Sequence, residues 1–367
     1  MWKILENTDW KNIEATFDWV QDMQNVPQDA IFHAEGDVLT HTRMVVEELM
    51  QLSEYQELDE QDKQVLFAAA LLHDVEKRST TVYEPDGRIT SRNHARKGEH
   101  TVRTILYKEI PTPFYIREAV AKLVRYHGLP LWIFEKSNPQ KALLQCSLEV
   151  NTEHLAILTT ADILGRICPD KAEMLYKIEL FKAFCKEQNC YGQKRSFKSD
   201  LARFTYFQKE ESSPDYVPFE IEKNEVVILC ALPGSGKDFY IQKNFNNWAT
   251  VSLDDIRRQL KILPTDKKGN GRVVQTAIEN AKILLRKKES FVWNATNLTK
   301  LMRKKIVDLG TQYGAKTRII YLEVPYQKLK QQNRNREQIV PEKVLERMIS
   351  RLEMPSIAEA EKVAYLF

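Results

Sequence analysis

His73 and Asp74 stand side by side at the end of the apolar run AALL, so an imidazole nitrogen and a carboxylate can be presented to one cation. The same half of the chain holds His41 in THTRMVVEEL, His94 opening NHARKG, His127 just before Gly128, and Asp162 in TTADILGR. All seven histidines lie between His33 and His154, and none follows to Phe367. A histidine or carboxylate from each of several helices, converging in a bundle, is how helical metal sites are built. Mixed imidazole and carboxylate ligands suit a hydrolytic cation with positions left for water and phosphate.

The remaining histidines fit the set less well. His100 is six residues from His94, about 240° around a helix, so both cannot face one site, and His100 is read as structural. His154 precedes Asp162 by eight residues, roughly 12 Å along a helix axis, and is read as a surface or packing residue. His33 could rim the pocket, but the reading preferred is a loop histidine. For His127 the competing reading is a helix C-terminal histidine stabilised by backbone carbonyls, and the ligand role is preferred.

The histidine-free half carries other chemistry. ALPGSGKD (231–238) follows an apolar run and precedes an amphipathic segment. Gly234, Ser235 and Gly236 let backbone N–H groups wrap phosphates, and Lys237 reaches the β- and γ-phosphate charge. Two features depart from the usual loop. Ala231 takes the place of the first glycine, and Asp238 that of the Ser/Thr that ligates Mg²⁺. Since FVWNATN presents Asn294, the pair reads as a swap, with Asp238 the carboxylate of the Mg²⁺ shell and Asn294 its neutral partner.

Elements to position these residues are legible in the spacing. In the first half Val45, Val46, Leu49, Leu52 and Val65, Ala68, Ala69, Leu72 recur at helical spacing, and only TTVYEPDGRIT (80–90) resembles a hairpin. From 225 the apolar runs EVVILCA, FVWNATN and TRIIYLEV alternate with basic amphipathic stretches, the pattern of a parallel sheet covered by helices. The fold expected is therefore an all-helical bundle over 1–208, a linker over 209–224 (KEESSPDYVPFEIEKN), and an α/β domain with a parallel sheet over 225–367.

Composition bounds the reading. With 367 residues, 43% hydrophobic and 29% charged, the chain suits two globular domains. Five cysteines without CxxC spacing argue against a structural zinc site and for a reducing, cytoplasmic setting. No run is apolar enough to span a bilayer, and the start MWKILENTDW lacks a signal-peptide core. A net charge of +3 neither requires nor excludes nucleic acid, and the basic clusters near 267, 286 and 303 read first as solvated helix faces.

The first set, with HAEGDVLTHT and NHARKG, resembles the HD-domain phosphohydrolase superfamily. The resemblance implies one metal held by His41, His73, Asp74 and Asp162. It implies a second completed by His94 and His127 with Asp74 bridging, and it places Lys77 of HDVEK facing the phosphate. In the other half SLDDIR (252–257), NATNL (294–298) and RNREQIVPEKVLERM (334–348) resemble the 5′-OH polynucleotide kinases. That resemblance implies Asp254 as general base and Arg257 as a clamp on the acceptor phosphate. It implies Asn297 and Arg303 as further nucleic-acid contacts, and Arg334 and Arg336 as lid arginines on the transferring phosphoryl group. A capped helix start explains Ser252 and its aspartates equally well, but not the arginine or the lid.

Joined, the halves resemble the bacterial bifunctional HD-domain polynucleotide kinase-phosphatases. The resemblance implies an enzyme using ATP or another NTP with Mg²⁺ to phosphorylate 5′-OH ends. It also implies one or two divalent ions such as Mn²⁺, Ni²⁺ or Co²⁺, used to remove 2′,3′-cyclic, 2′- or 3′-phosphate from RNA ends. RNA, or DNA, is then the substrate, and an RNA ligase the functional partner. Two alternatives stay open: an HD nucleotidase fused to a small-molecule kinase, and a non-catalytic ATP- and metal-binding regulator.

Overall fold

The computed structural model describes residues 1–220, 223–336 and 338–367. Ile221 and Glu222 of the expected linker, and Glu337 of the lid segment, lie outside the described residues. The chain forms two compact units, 1–195 and 196–367. The expected boundary lay at 208/209. The difference is one helix, α8 (Asp200–Gln208), whose Arg203 donates to the carbonyls of Ile357 and Glu361 in the second unit.

The first unit is helical. Its main helices are α1 (Val38–Gln51), α2 (Glu60–Leu72), α3 (His94–Lys108), α4 (Phe114–Tyr126), α5 (Pro139–Glu149), α6 (Thr152–Leu164) and α7 (Lys171–Glu187). Asp37, Asp59 and Asn151 accept backbone N–H bonds at the starts of α1, α2 and α6, meeting donors that would otherwise be unpaired. Every residue of α2 from Val65 to Leu72 is buried, as expected of a helix apolar all round. It is the central helix, packed on α1, α4 and α6, and it ends at His73. The hairpin forms from β1 (Val82–Tyr83) and β2 (Ile89–Thr90), antiparallel around Asp86-Gly87.

One contact decides how two ligand-bearing helices meet. Gly165, just past α6, packs on the backbone of α1: a Cβ there would lie 2.8 Å from Val45 N and 3.0 Å from Val45 Cα. Only glycine allows that approach, and it brings Asp162 to His41.

The second unit is a five-stranded sheet, all parallel, in the order β4-β5-β3-β6-β7. The strands are β3 (Glu225–Ala231), β4 (Ala249–Ser252), β5 (Phe291–Asn294), β6 (Lys316–Leu322) and β7 (Lys362–Leu366). Register pairs Val226 with Phe291 and Thr317. The residues of β3 from Val226 to Ala231 are all buried, so this central strand reads as a continuous apolar run. β4 and β7 were not foreseen, because they are short edge strands with exposed residues and no apolar run. Helices α9 (Lys237–Asn244), α10 (Leu253–Gln259), α11 (Lys267–Arg286), α12 (Lys300–Gln312), α13 (Tyr326–Arg334) and α14 (Glu342–Ser350) complete the unit. The strand order reverses at β3, so its carboxyl end opens onto a switch-point crevice. Among the described residues no helix is long and apolar enough to cross a membrane.

Candidate metal centre and nucleotide site

In the first unit six side chains from five places in the chain converge. His41 comes from α1, His73 and Asp74 from the end of α2, His94 from the start of α3, His127 from the end of α4, and Asp162 from α6. They group as two triplets, His41–His73–Asp162 and Asp74–His94–His127, each with its ligand atoms within 4.8 Å of one another. Asp74 joins them: its Oδ2 lies 3.2 Å from His73 Nε2 and 3.7 Å from His41 Nε2, and its Oδ1 lies 3.4 Å from His94 Nε2. His41 Nε2 is 3.2 Å from Asp162 Oδ1, and the Nε2 atoms of His94 and His127 are 3.2 Å apart.

The rings are held from behind. His73, His94 and His127 each use Nδ1 to donate to the carbonyl three residues earlier, that of Ala70, Ser91 and Val124. This leaves Nε2 as the unprotonated, inward-facing atom, the arrangement that orients a metal ligand. Helix C-termini supply the Ala70 and Val124 carbonyls, so for His127 the helix-end reading and the ligand geometry coexist.

Two residues that sequence reasoning missed complete the cluster. The buried Glu35 carboxylate lies 2.9 Å from His41 Nδ1 and 2.7 Å from His33 Nδ1, and accepts the Ile167 N–H at 2.8 Å. Arg166 grips Asp162 through both Nε and Nη2. The signals were present: a carboxylate between two histidines in HAEGDVLTH, and an arginine four residues after Asp162. His33 is a loop residue as expected, but it belongs to this cluster's surroundings. His154 pairs instead with Asp62 at 3.5 Å.

The electrostatics match a cation site. Burial pushes the His127 pKa down to about 3, aided by the neighbouring His94, and lowers that of His94 too. Burial opposes charge on Asp74 and Asp162, yet Lys77 on the first and Arg166 on the second hold both well below the usual carboxylate range. His73 moves the other way: burial opposes its charge most strongly, but the Asp74 charge and hydrogen bond, the Asp162 charge and the Ala70 carbonyl together outweigh it. His41 Nε2, His73 Nε2 and Asp74 Oδ1 are buried without a hydrogen-bond partner among the described residues. Unpaired buried polar atoms are costly, and aimed at one another they fit a divalent cation. Lys77 Nζ bonds Asp74 Oδ2 and Gln28 Oε1, both at 2.7 Å, and lines a cavity of about 350 Å³ beside the cluster with His94 and Arg166.

In the second unit the loop after β3 turns through Gly234 (φ +89°) and Gly236 (φ +85°), conformations that favour glycine, and α9 begins at Lys237. The Ser235 hydroxyl is buried with no hydrogen-bond partner among the described residues. Burial lowers the Lys237 pKa and Arg336 adds to it, against the raising charges of Asp238 and Asp254. Asn294, at the end of β5, donates to Asp238 Oδ1 at 2.8 Å. A cavity of about 780 Å³ is lined by Asp238, Asn294, Asp254, Arg258, Arg336 and Trp248, among others. Ser252 caps α10 by accepting the Asp255 N–H, and Asp254 is ion-paired with Arg257, whose Nε also donates to Asn270 at 3.0 Å.

Arg334 ends α13, outside the lining of that cavity. Two expected nucleic-acid contacts are placed in the interior. Arg303 is 0% exposed, paired through Nε and Nη2 with Glu359 and donating to the carbonyls of Asn297 and Glu353. Asn297 is buried and donates to the Leu229 carbonyl at 2.6 Å. Both tie the end of β5 to its neighbours, and the Arg303 guanidinium is enclosed by these partners rather than presented at the surface.

The HD domain family matches residues 38–167, and the AAA domain family matches residues 226–355. The chain joins an HD domain to an AAA domain. The first match spans the helices carrying His41 to Asp162, and the second runs from β3 past α14. A comparison with curated protein sequences found no match. Two solved structures of a Pnkp1/Rnl/Hen1 complex, one described as an RNA repair complex, are 20% and 22% identical over 36% and 34% of this chain, with TM-scores of 0.34 and 0.29. The alignments cover 45% and 44% of those chains, so this chain spans less than half their length. A presumptive kinase from Chloroflexus aurantiacus is 14% identical over 40% of this chain and 86% of its own, with a TM-score of 0.34. These partial likenesses assign no activity.

Proposed function

We propose that the chain is a two-site enzyme that heals nucleic-acid ends. The AAA domain phosphorylates a 5′-OH end from ATP or another nucleoside triphosphate. The HD domain removes a 2′,3′-cyclic, 2′- or 3′-phosphate from an RNA end. The observation that carries this reading is the cavity beyond the Lys237 loop, where a carboxylate at Asp254 and a cation at Arg336 border one open space with Asp238 and Asn294.

Phosphoryl transfer asks the protein for positioning, for positive charge on the equatorial oxygens and for a base on the attacking hydroxyl. Lys237 and Arg336 supply the charge, with Arg334 on the same lid. Asp254 accepts the hydroxyl proton while Arg257, its ion-pair partner, keeps the carboxylate in place. Asp238 would hold Mg²⁺, which neutralises the β- and γ-phosphates when bound.

In the HD domain His41, His73 and Asp162 would hold one divalent cation and His94 and His127 another, with Asp74 between them. Bound cations of this kind polarise a phosphoryl group and lower the pKa of water. Lys77 and Arg166 steady the two carboxylates, and both face the cavity where a phosphate is seated. Cytoplasmic location and an RNA ligase as functional partner belong to this same reading. Transesterifying breakage of RNA leaves a 2′,3′-cyclic phosphate and a 5′-OH, and ligation needs the opposite ends.

The test is a short RNA carrying both ends, given ATP, Mg²⁺ and added Mn²⁺, Ni²⁺ or Co²⁺. Lys237→Ala is expected to lose 5′ phosphorylation by at least a hundredfold and keep the 3′ reaction, and Asp74→Ala the reverse. If the wild type changes neither end, the polynucleotide reading falls.

A further inference from the structure

The cavity beside the HD metal cluster is lined by two unlike sets of side chains. One is polar: His94 belongs to the Asp74 triplet, Lys77 bonds Asp74, and Arg166 bonds Asp162. The other comprises two aromatic rings, Phe32 and Trp132, which remain 46% and 41% exposed. Single exposed apolar side chains are ordinary and need no explanation. Two rings bordering one cavity of about 350 Å³, together with Lys77 and Arg166, are a different case.

The chain fixes these rings together with the ligands. Phe32 lies in the turn that leads to Glu35 and then to His41. Trp132 ends the four-residue helix Leu129–Trp132, which begins two residues after His127. Lys177 Nζ sits 4.8 Å from the centroid of the Trp132 ring, a cation–π contact that helps to hold the ring. The volume falls within the range of small-ligand sites, roughly 300–1,000 Å³.

A ligand that uses the whole lining therefore carries both an anion and a flat π-face. A simple alkyl phosphate would leave the rings in water, and an apolar peptide would leave Lys77 and Arg166 unmatched. A nucleoside phosphate satisfies both sets of groups, since bases stack on aromatic side chains regardless of sequence.

We infer that Phe32 and Trp132 form a nucleobase-stacking subsite of the HD cavity, so that the phosphate removed is that of a nucleoside whose base rests on these rings. This rests on the phosphohydrolase reading of the HD domain. It predicts that the domain selects for a base next to the scissile phosphate while tolerating any of the four.

The test uses the full chain bearing Lys237→Ala, loaded with Mn²⁺. Its substrate is an RNA with a phosphorylated 5′ end and a terminal 2-aminopurine nucleotide carrying a 3′-phosphate. Binding is expected to quench the 2-aminopurine fluorescence. Phe32→Ala and Trp132→Ala are each expected to lose the quench and raise KM about tenfold, while Trp132→Phe retains both. An RNA with an abasic terminal residue should start with the raised KM and be insensitive to these variants. A 2-aminopurine mononucleotide separates the sources: equal sensitivity means a free nucleoside phosphate suffices, and sensitivity of the RNA alone means a polynucleotide end is required.

An unchanged KM with the base present would overturn the subsite, as would an equal loss on the abasic substrate, which marks a structural role. If the protein releases phosphate from none of these substrates, the phosphohydrolase reading fails instead. The quench and its loss in the variants then still decide the subsite.

Discussion

At the scale of single residues, the informative pair is Asp238 and Asn294. A carboxylate at the position of the usual hydroxyl puts negative charge beside a triphosphate, which is unfavourable unless a cation joins them. The 2.8 Å bond from Asn294 holds that carboxylate at the rim of the cavity. Asp238→Ser is therefore expected to abolish 5′ phosphorylation, and adding Asn294→Asp to restore part of it. Initial rates of the two variants and the double variant check this, and no recovery in the double variant would refute the swap. Both residues were legible in the sequence because they flank a strand end and a phosphate loop. Arg303 shows the limit of such reading: the resemblance to polynucleotide kinases implies a nucleic-acid contact there, while Glu359, far along the chain, holds the guanidinium in the interior.

At the scale of elements, the metal cluster depends on how closely its helices approach. Gly165→Ala sets a methyl group 2.8 Å from the Val45 backbone, which cannot move without shifting α1. Overpacking of this kind costs typically about 1–3 kcal/mol. A lower thermal midpoint is expected for the HD unit together with weaker retention of divalent metal, measured by calorimetry and by metal content after dialysis. A second element-level device joins α3 and α4. Buried Glu99 and half-buried Glu118 are paired there with Arg103, Arg117 and Lys122. Burial alone would raise both carboxyl pKa values; Lys122 and Arg103 beside Glu99, and Arg103 and Arg117 beside Glu118, hold them below the ordinary 4.5. Their stabilisation is then present above pH 4.5 and lost as pH falls below it toward the folded-state values. The thermal midpoint of chelator-treated protein should fall between pH 5 and pH 3, with a shallower slope in the Glu99→Gln, Glu118→Gln double variant. Equal slopes would show that the network does not titrate in this window.

At the scale of the whole molecule, each unit has its own core and its own candidate ligand. Ligand binding stabilises only the unit that binds, by about 2.7 kcal/mol at a hundredfold excess over Kd. Scanning calorimetry is expected to resolve two transitions, one raised by ATP with Mg²⁺ and the other by Mn²⁺. Lys237→Ala should remove the first shift alone. A single transition raised by both ligands would contradict independent units.

The sequence by itself determined the residue types available for chemistry and the local elements that carry them. Helical spacing, strand runs and a glycine loop are set by near neighbours, so His73-Asp74, the GSGKD loop and the two fold classes were readable directly. Tertiary structure decided which distant side chains meet. It placed Glu35 behind His41, Arg166 on Asp162, Arg303 on Glu359 and α8 with the second unit. It also brought two aromatic rings into the lining of one cavity. The physical reason is close packing: such contacts depend on how elements far apart in the chain fit together, as Gly165 fits against Val45, and no local pattern encodes that fit.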